Sequence, residues 1–151
     1  MLKYTDTKVV FAEIPDEITL AINISNCPCH CKGCHSPYLA EDIGEELSLS
    51  NLITLYDRNK GITCISLMGG DSDPSYIDVL AEFIKNILKL KVAWYSGRQE
   101  LSKDIDLGNF DFIKLGPYIP EKGGLDSRTT NQRFYHIVDG ILIDKTELFW
   151  H

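Results

Sequence analysis

Four of the five cysteines of this chain lie within eight residues, in the run Cys-Pro-Cys-His-Cys-Lys-Gly-Cys at 27–34. Three of them, Cys27, Cys31 and Cys34, have the spacing C-x3-C-x2-C. Three thiolates on one short loop can hold three irons of a cubane cluster and leave the fourth iron without a protein ligand. Electron-transfer clusters are held by four cysteines, so an open iron indicates a cluster that binds a small molecule directly. The spacing predicts a 4Fe–4S cluster on these three residues, with Cys29 as a spare thiol.

A zinc site is the competing interpretation of the same loop, in which His30 and His35 could join the cysteines. Structural zinc sites usually gather two separated pairs of ligands, and the sequence contains no second pair. Disulfides between cysteines this close would be strained, and no signal peptide indicates an oxidising compartment. The cluster is therefore the favoured interpretation, and a non-enzymatic zinc-binding module stays open as an alternative.

At these cysteines the sequence resembles the radical S-adenosylmethionine (SAM) superfamily, whose signature is the C-x3-C-x2-C spacing. In that superfamily SAM chelates the open iron, and the reduced cluster cleaves the sulfonium to release a 5′-deoxyadenosyl radical. Among its members the chain is most similar to the activating proteins of anaerobic ribonucleoside-triphosphate reductases, over most of its length. The resemblance implies a 4Fe–4S cluster and SAM as cofactors, a flavodoxin-type reductant, and a partner reductase on which a glycyl radical is made. No protein acid or base is needed, because the cofactors do the chemistry and the protein positions them.

A glycine pair follows the strand predicted over 62–67, in the run Gly69-Gly70-Asp71. Glycine lacks Cβ and tolerates positive φ, so a backbone of this kind can approach a ligand closely. Taken alone, the run is typical of a turn in which Asp71 or Asp73 caps the next helix. It also resembles the Gly-Gly-Glu motif of the superfamily, whose backbone binds the SAM amino group. The resemblance implies that Gly69, Gly70 and Asp71 bind SAM, with Asp in place of Glu.

Two later strand ends carry further candidates. The strand predicted over 92–95 ends in Ser96-Gly97, where reductase activases have Thr-Gly beside SAM, and the resemblance implies SAM contacts here; a plain turn is the alternative. Residues 111–118 resemble the Asp-x-Leu-Val-Asp-Gly-Pro-Phe segment of the family, but a Lys-Leu pair beginning at Lys114 replaces Val-Asp. Lys114 could neutralise the SAM carboxylate, and a solvent-facing lysine is equally consistent.

Composition limits the partners and the compartment. The chain has 151 residues, 44% of them hydrophobic, and a formal charge of −7, which predicts one domain over 1–151 with an ordinary core. An acidic chain without a Lys/Arg cluster is not expected to bind nucleic acid or an anionic membrane. The sequence shows no secretory signal and no apolar run long enough to span a bilayer. We therefore expect a cytoplasmic, oxygen-sensitive protein.

The predicted elements alternate between strands and helices. Strands are predicted over 8–14, 18–24, 62–67, 92–95, 110–115, 134–138 and 141–143, and helices over 48–59 and 76–90. The first two strands could form a hairpin, and Asp139-Gly140 predicts a second hairpin. The polar loop at 121–133 is too long for a tight turn, and we expect it to be mobile or functional.

This alternation predicts an α/β fold with a largely parallel, curved sheet. The chain has too few βα units for an eight-fold barrel, so the resemblance implies an abbreviated, open radical SAM barrel of partial TIM type. An open barrel would leave its SAM face uncovered, and a partner protein could complete the site. Two other enzymatic functions stay open: radical SAM chemistry on a small molecule, and activation of another glycyl-radical enzyme.

Overall fold

The protein is described here by a computed structural model, which covers residues 2–25 and 43–150. The strands of this part of the chain are β1 (Lys3–Val10), β2 (Thr19–Ile24), β3 (Glu45–Glu46), β4 (Cys64–Met68), β5 (Lys91–Tyr95), β6 (Phe112–Leu115), β7 (Arg133–Val138) and β8 (Ile141–Asp144). Its helices are α1 (Leu49–Arg58), α2 (Pro74–Phe83), a π-helical turn (Ile84–Leu88) and two 3₁₀ turns (Leu107–Asn109 and Thr146–Phe149).

All eight strands belong to one mixed sheet in the order β3-β1-β2-β4-β5-β6-β7-β8. The central strands β2, β4, β5 and β6 are parallel, whereas antiparallel pairs lie on both sides of them. The predicted largely parallel, partial TIM-type barrel is therefore wrong. A parallel crossover needs about a dozen residues or more and usually carries a helix. The β1–β2 and β7–β8 connections, with eight and two residues, are shorter than that, and the 17-residue β6–β7 connection contains no helix. With two short α-helices, the described chain has too few helical crossovers for a barrel.

Both predicted α-helices are confirmed, and local side chains set their ends. Ser48 caps α1 by accepting a hydrogen bond from the Asn51 backbone amide, and Asp73 caps α2 by accepting one from the Tyr76 amide. The second helix continues into the π-helical turn and ends at Lys89, whose φ of 60° is left-handed. Among the described residues, no helix is long and apolar enough to cross a bilayer.

Both predicted hairpins are also present. Strands β1 and β2 pair antiparallel, and β7 pairs with β8 through the two-residue turn at Asp139 and Gly140. These two turn residues have φ values of 53° and 75°. Positive φ at both positions matches the right-handed twist of the flanking strands, which explains why an Asp-Gly pair predicts this turn.

The main core lies between the helices and one face of the sheet. Side chains of successive strand residues point to opposite faces, so Ile22, Leu67, Trp94 and Ile113 share the helix-covered face and are buried. Burying one such aliphatic side chain stabilises the fold by about 1.5–3 kcal/mol. The opposite face carries more polar residues at the strand ends, and the candidate site lies on it.

Candidate cofactor-binding site

A cavity of about 720 Å³ opens on this second face, at the carboxyl ends of the parallel strands. Its lining includes Asn23, Met68, Tyr95 and Lys114, one residue from each of the four parallel strands. The register pairs Asn23 with Met68, Met68 with Tyr95, and Tyr95 with Lys114. The four side chains therefore form one row across the sheet. Of these, only Lys114 is a predicted site residue.

The walls of the cavity come from segments outside the parallel strands. The β1–β2 connection contributes Ala12 and Glu13, and residues 123–127 of the polar loop contribute the opposite wall. Within that loop the Thr129 and Thr130 hydroxyls donate to the carbonyl oxygens of Lys122 and Gly123, at 2.8 and 3.1 Å. The loop at 121–133, predicted to be mobile or functional, thus forms a hydrogen-bonded wall of the cavity.

Tyr95 holds the β1–β2 connection over the sheet. Its hydroxyl donates a hydrogen bond to the Glu13 carbonyl oxygen, and the neighbouring Ile14 is completely buried against the second face. Burial raises the pKa of Tyr95 well above its ordinary value. The hydroxyl therefore keeps its proton, and the hydrogen bond, throughout the neutral range.

The two glycines of the predicted SAM motif have different surroundings. Gly69 lines the cavity and has a φ of +114°; its amide donates to the Tyr95 carbonyl at 3.0 Å. Gly70, with a φ of +91°, faces the core, because a Cβ there would collide with Cδ1 of Ile77. Gly69 is thus placed to meet a ligand, whereas Gly70 is required by the packing behind it.

The other predicted side chains near this turn lie behind the cavity. Asp71 is 3% exposed and accepts hydrogen bonds from the Ser96 hydroxyl at 2.5 Å and from the Gly97 amide at 2.8 Å. Neither Asp71 nor Ser96 nor Gly97 is part of the cavity lining. The structure therefore brings these three predicted residues together behind the cavity. They do not line the space that Gly69 and Lys114 line.

Lys114 supplies the positive charge of the lining. Its ammonium donates to the carbonyl oxygens of Ser96 and Gly116, at 3.2 and 2.9 Å, and lies 5.8 Å from the centre of the Tyr95 ring. Glu13 and Asp126 supply carboxylates elsewhere in the lining, and Tyr118, Gln132 and Phe149 complete it. This combination suits a ligand that carries a carboxylate, a cationic group and an aromatic ring.

Sequence patterns missed several lining residues. Asn23, Met68 and Tyr95 each lie at or near the carboxyl end of a predicted strand. That position was the one sequence signal that could have indicated them as site residues. Their alignment depends on the register between strands, which no single strand specifies. Glu13 falls in the strand predicted over 8–14, which ends at Val10 in the structure, and Phe149 belongs to the 3₁₀ turn Thr146–Phe149.

The four clustered cysteines, Cys27, Cys29, Cys31 and Cys34, lie outside the described residues. Ser25 and Ile43, which flank the segment 26–42, are in contact: the Ser25 hydroxyl donates to the Ile43 carbonyl oxygen at 2.5 Å. Ser25 follows β2, whose residue Asn23 belongs to the cavity row. The residues on either side of 26–42 therefore lie together at the carboxyl end of β2, near the cavity.

The fifth cysteine, Cys64, is buried at the start of β4, as predicted for a core residue. Burial raises its pKa to about 12, which suppresses the thiolate that metal binding requires. Within 2–25 and 43–150, no group of three or more His, Cys, Asp or Glu residues could hold a metal ion. Comparison with protein-family models, curated proteins and solved structures finds no match for the chain.

Proposed function

We propose that this protein is a radical SAM activase. In this proposal Cys27, Cys31 and Cys34 hold a 4Fe–4S cluster at which SAM is reductively cleaved. The product is a glycyl radical on an anaerobic ribonucleoside-triphosphate reductase. The observation that carries the proposal is the Ser25–Ile43 contact, because it brings the two residues that flank the cysteine segment together near a cavity of cofactor size.

The cavity fits SAM in size and in chemistry. Small-molecule sites usually enclose about 300–1,000 Å³, and this cavity has about 720 Å³. Lys114 can hold the carboxylate of SAM, and the Glu13 and Asp126 carboxylates can balance its ammonium and sulfonium charges. Gly69 offers a backbone without a side chain at the same edge. The aromatic rings of Tyr95, Tyr118 and Phe149 offer apolar surface to the adenine.

The donor set of the cysteine segment fits a cluster with an open iron. Three thiolates at the C-x3-C-x2-C spacing leave one iron for SAM, and such a cluster supplies the electron for cleavage of the sulfonium. The role of the remaining protein is to bind, orient and shield SAM. A thiolate-held cluster of this kind requires a reducing compartment, so the proposal places the protein in the cytoplasm with a flavodoxin-type reductant.

The outer side of the cavity supports a protein substrate. Phe11, next to the lining residue Ala12, is 71% exposed. Aromatic residues, phenylalanine among them, are enriched at protein–protein interfaces. A partner could therefore bring its own backbone to that side.

The test combines the protein with SAM, reductant and an anaerobic ribonucleotide reductase from the same organism, under exclusion of oxygen. We expect 5′-deoxyadenosine and a doublet electron paramagnetic resonance signal on the reductase. Replacing the radical glycine of the reductase by alanine, or Cys34 of this protein by alanine, should remove the signal.

Each of the alternatives gives a different result in the same preparation. Cleavage of SAM without a radical on the reductase would favour a small-molecule substrate or another glycyl-radical enzyme. Protein that contains zinc and no iron after anaerobic purification would favour the zinc-binding module and refute the proposed chemistry.

A further inference from the structure

Asp71 is connected to the cavity through hydrogen bonds and not through direct exposure. We propose that Asp71 is a positioning residue: its buried carboxylate fixes the end of β5 and thereby holds the Lys114 ammonium at the place where it meets the carboxylate of a ligand. This inference rests on the proposed function for the identity of that ligand, SAM.

The first link joins Asp71 to the end of β5. One carboxylate oxygen accepts from the Ser96 hydroxyl at 2.5 Å, and the other accepts from the Gly97 amide at 2.8 Å. The Arg98 amide donates to the same Ser96 hydroxyl at 3.1 Å, so the hydroxyl proton is directed to Asp71. Hydrogen bonds to a buried charged group are stronger than neutral ones, and these three hold residues 96–98 in one conformation.

The second link joins the end of β5 to Lys114. The Ser96 amide donates to the Lys114 carbonyl at 2.9 Å, and the Lys114 ammonium donates back to the Ser96 carbonyl at 3.2 Å. The Gly116 amide donates to the Arg98 carbonyl at 2.7 Å. Two backbone contacts therefore hold the strand ends together, and the Ser96 carbonyl is one of the oxygens that orient the ammonium. A shift of Ser96 would move the charge of Lys114 within the cavity.

The competing role for Asp71 is direct contact with the ligand's ammonium group. Asp71 is 3% exposed and lies outside the cavity lining, and each of its carboxylate oxygens accepts a hydrogen bond from the protein. The two roles predict different responses to loss of charge. Asparagine can preserve the positioning contacts, because its oxygen can accept from Gly97 and its amide can donate to a reversed Ser96 hydroxyl. It cannot replace a charge in contact with an ammonium.

The ligand test compares SAM with decarboxylated SAM on cluster-reconstituted protein, by anaerobic isothermal titration. For Asp71→Ala we expect SAM affinity to fall about tenfold or more, from the lost hydrogen bonds to a charged group. Affinity for decarboxylated SAM should change less than about twofold, since that ligand has no carboxylate for Lys114. Asp71→Asn should keep SAM affinity within about threefold of wild type. Asp104→Ala, at an exposed acid in the loop after β5, is the matched control. An equal loss for both ligands, or an Asn variant as weak as the Ala variant, would overturn the positioning role.

A second readout needs no ligand and separates this inference from the proposed function. Trace acetylation of lysines, quantified by mass spectrometry, should show Lys114 reacting at least about threefold faster in Asp71→Ala than in wild type, since an unfixed ammonium is more accessible. Asp71→Asn and Asp104→Ala should label like wild type. Ser96→Ala removes only a hydroxyl and should also speed labelling, which covers the case in which Asp71→Ala does not fold. If the wild type binds no SAM, the proposed function fails and labelling still decides the role of Asp71. Unchanged Lys114 labelling in Ser96→Ala and in folded Asp71→Ala would refute the positioning role of Asp71.

Discussion

The Ser25 hydroxyl donates a hydrogen bond to the Ile43 carbonyl oxygen across 2.5 Å. The same hydroxyl lies 3.3 Å from the Lys3 carbonyl oxygen, and the Ser25 amide donates to that oxygen at 2.9 Å. Ser25 is completely buried. One small side chain thus joins β1, the end of β2 and the point where the chain returns before β3, beside the cavity.

Replacing Ser25 by alanine should destabilise this junction. The Ile43 carbonyl loses its donor, and the expected loss in free energy of unfolding is about 1–2 kcal/mol. Urea unfolding of the cluster-free protein measures it. Ser72→Ala, at an exposed serine, should change stability by less than about 0.5 kcal/mol. Equal stability of the two variants would show that the Ser25 contact contributes nothing.

Cluster binding should depend on three cysteines and not on the fourth. Alanine at Cys27, Cys31 or Cys34 should abolish the visible absorption and the iron content of the reconstituted protein, because each removes one of three ligands. Cys29→Ala should retain most of both. If Cys29→Ala loses the cluster while Cys31→Ala keeps it, the ligand assignment is wrong.

Gly70→Ala should destabilise the fold more than Gly61→Ala. Both glycines have similar positive φ, but only Gly61 has free space for an added Cβ. Left-handed backbone costs an alanine about 1–2 kcal/mol, and the contact with Ile77 adds about 1–3 kcal/mol of overpacking. Gly61 has a φ of +94° with nothing within 4 Å of an added Cβ. Gly61→Ala should therefore lower the free energy of unfolding only by the backbone cost of about 1–2 kcal/mol. Denaturant unfolding compares the two.

Gly69→Val should weaken ligand binding and also strain the fold, because Gly69 lines the cavity, has a φ of +114°, and would place a Cβ 3.1 Å from the Ile24 carbonyl oxygen. We expect weaker SAM binding with the cluster retained, measured by anaerobic titration alongside iron content. Unchanged SAM affinity in a folded variant would reduce the glycine pair to an ordinary turn.

Tyr95→Phe should loosen the β1–β2 connection, since it removes the donor to the Glu13 carbonyl. A single hydrogen bond of this kind contributes about 1 kcal/mol. Hydrogen–deuterium exchange of peptides covering 11–17 should become faster, while Tyr56→Phe on α1 leaves their exchange unchanged. Wild-type exchange in Tyr95→Phe would contradict the anchoring role.

Cys64 should resist alkylation in the folded protein. Its pKa is raised by burial from 9.0 to about 12, which leaves about a thousandfold less thiolate near neutral pH than in the unfolded chain. A variant with the other four cysteines replaced by alanine isolates its reaction with iodoacetamide. Because the folded pKa is the higher one, this thiol's contribution to stability is complete below about pH 9 and decreases as pH rises towards 12. Rapid alkylation of the native protein at pH 8 would contradict the burial of Cys64.

Local patterns in the sequence were sufficient for most elements and for part of the site. Ser48 or Ser50 was the predicted cap of the first helix and Asp71 or Asp73 that of the second, and Asp139-Gly140 marked a hairpin, because capping and turn chemistry act over a few residues. Gly69 and Lys114 were predicted from the resemblance to segments of the superfamily, and each lies at or just beyond the carboxyl end of an apolar strand, where parallel sheets place ligands. The parallel barrel was wrong because strand direction depends on which connections carry helices and on which strands pair.

The sequence by itself determined the three-cysteine spacing, the chemistry that this spacing permits, both α-helices and most of the strands, although β1 lies at Lys3–Val10 and not at the predicted 8–14, and β3 was not predicted. These properties depend on residue type and on neighbours along the chain. The tertiary structure alone decided that Asn23, Met68, Tyr95 and Lys114 share one row and that Asp71 turns inward to Ser96. The row depends on the register between strands that are distant in sequence. The inward orientation of Asp71 depends on burial, because a buried carboxylate needs hydrogen-bond donors and finds them at the end of another strand.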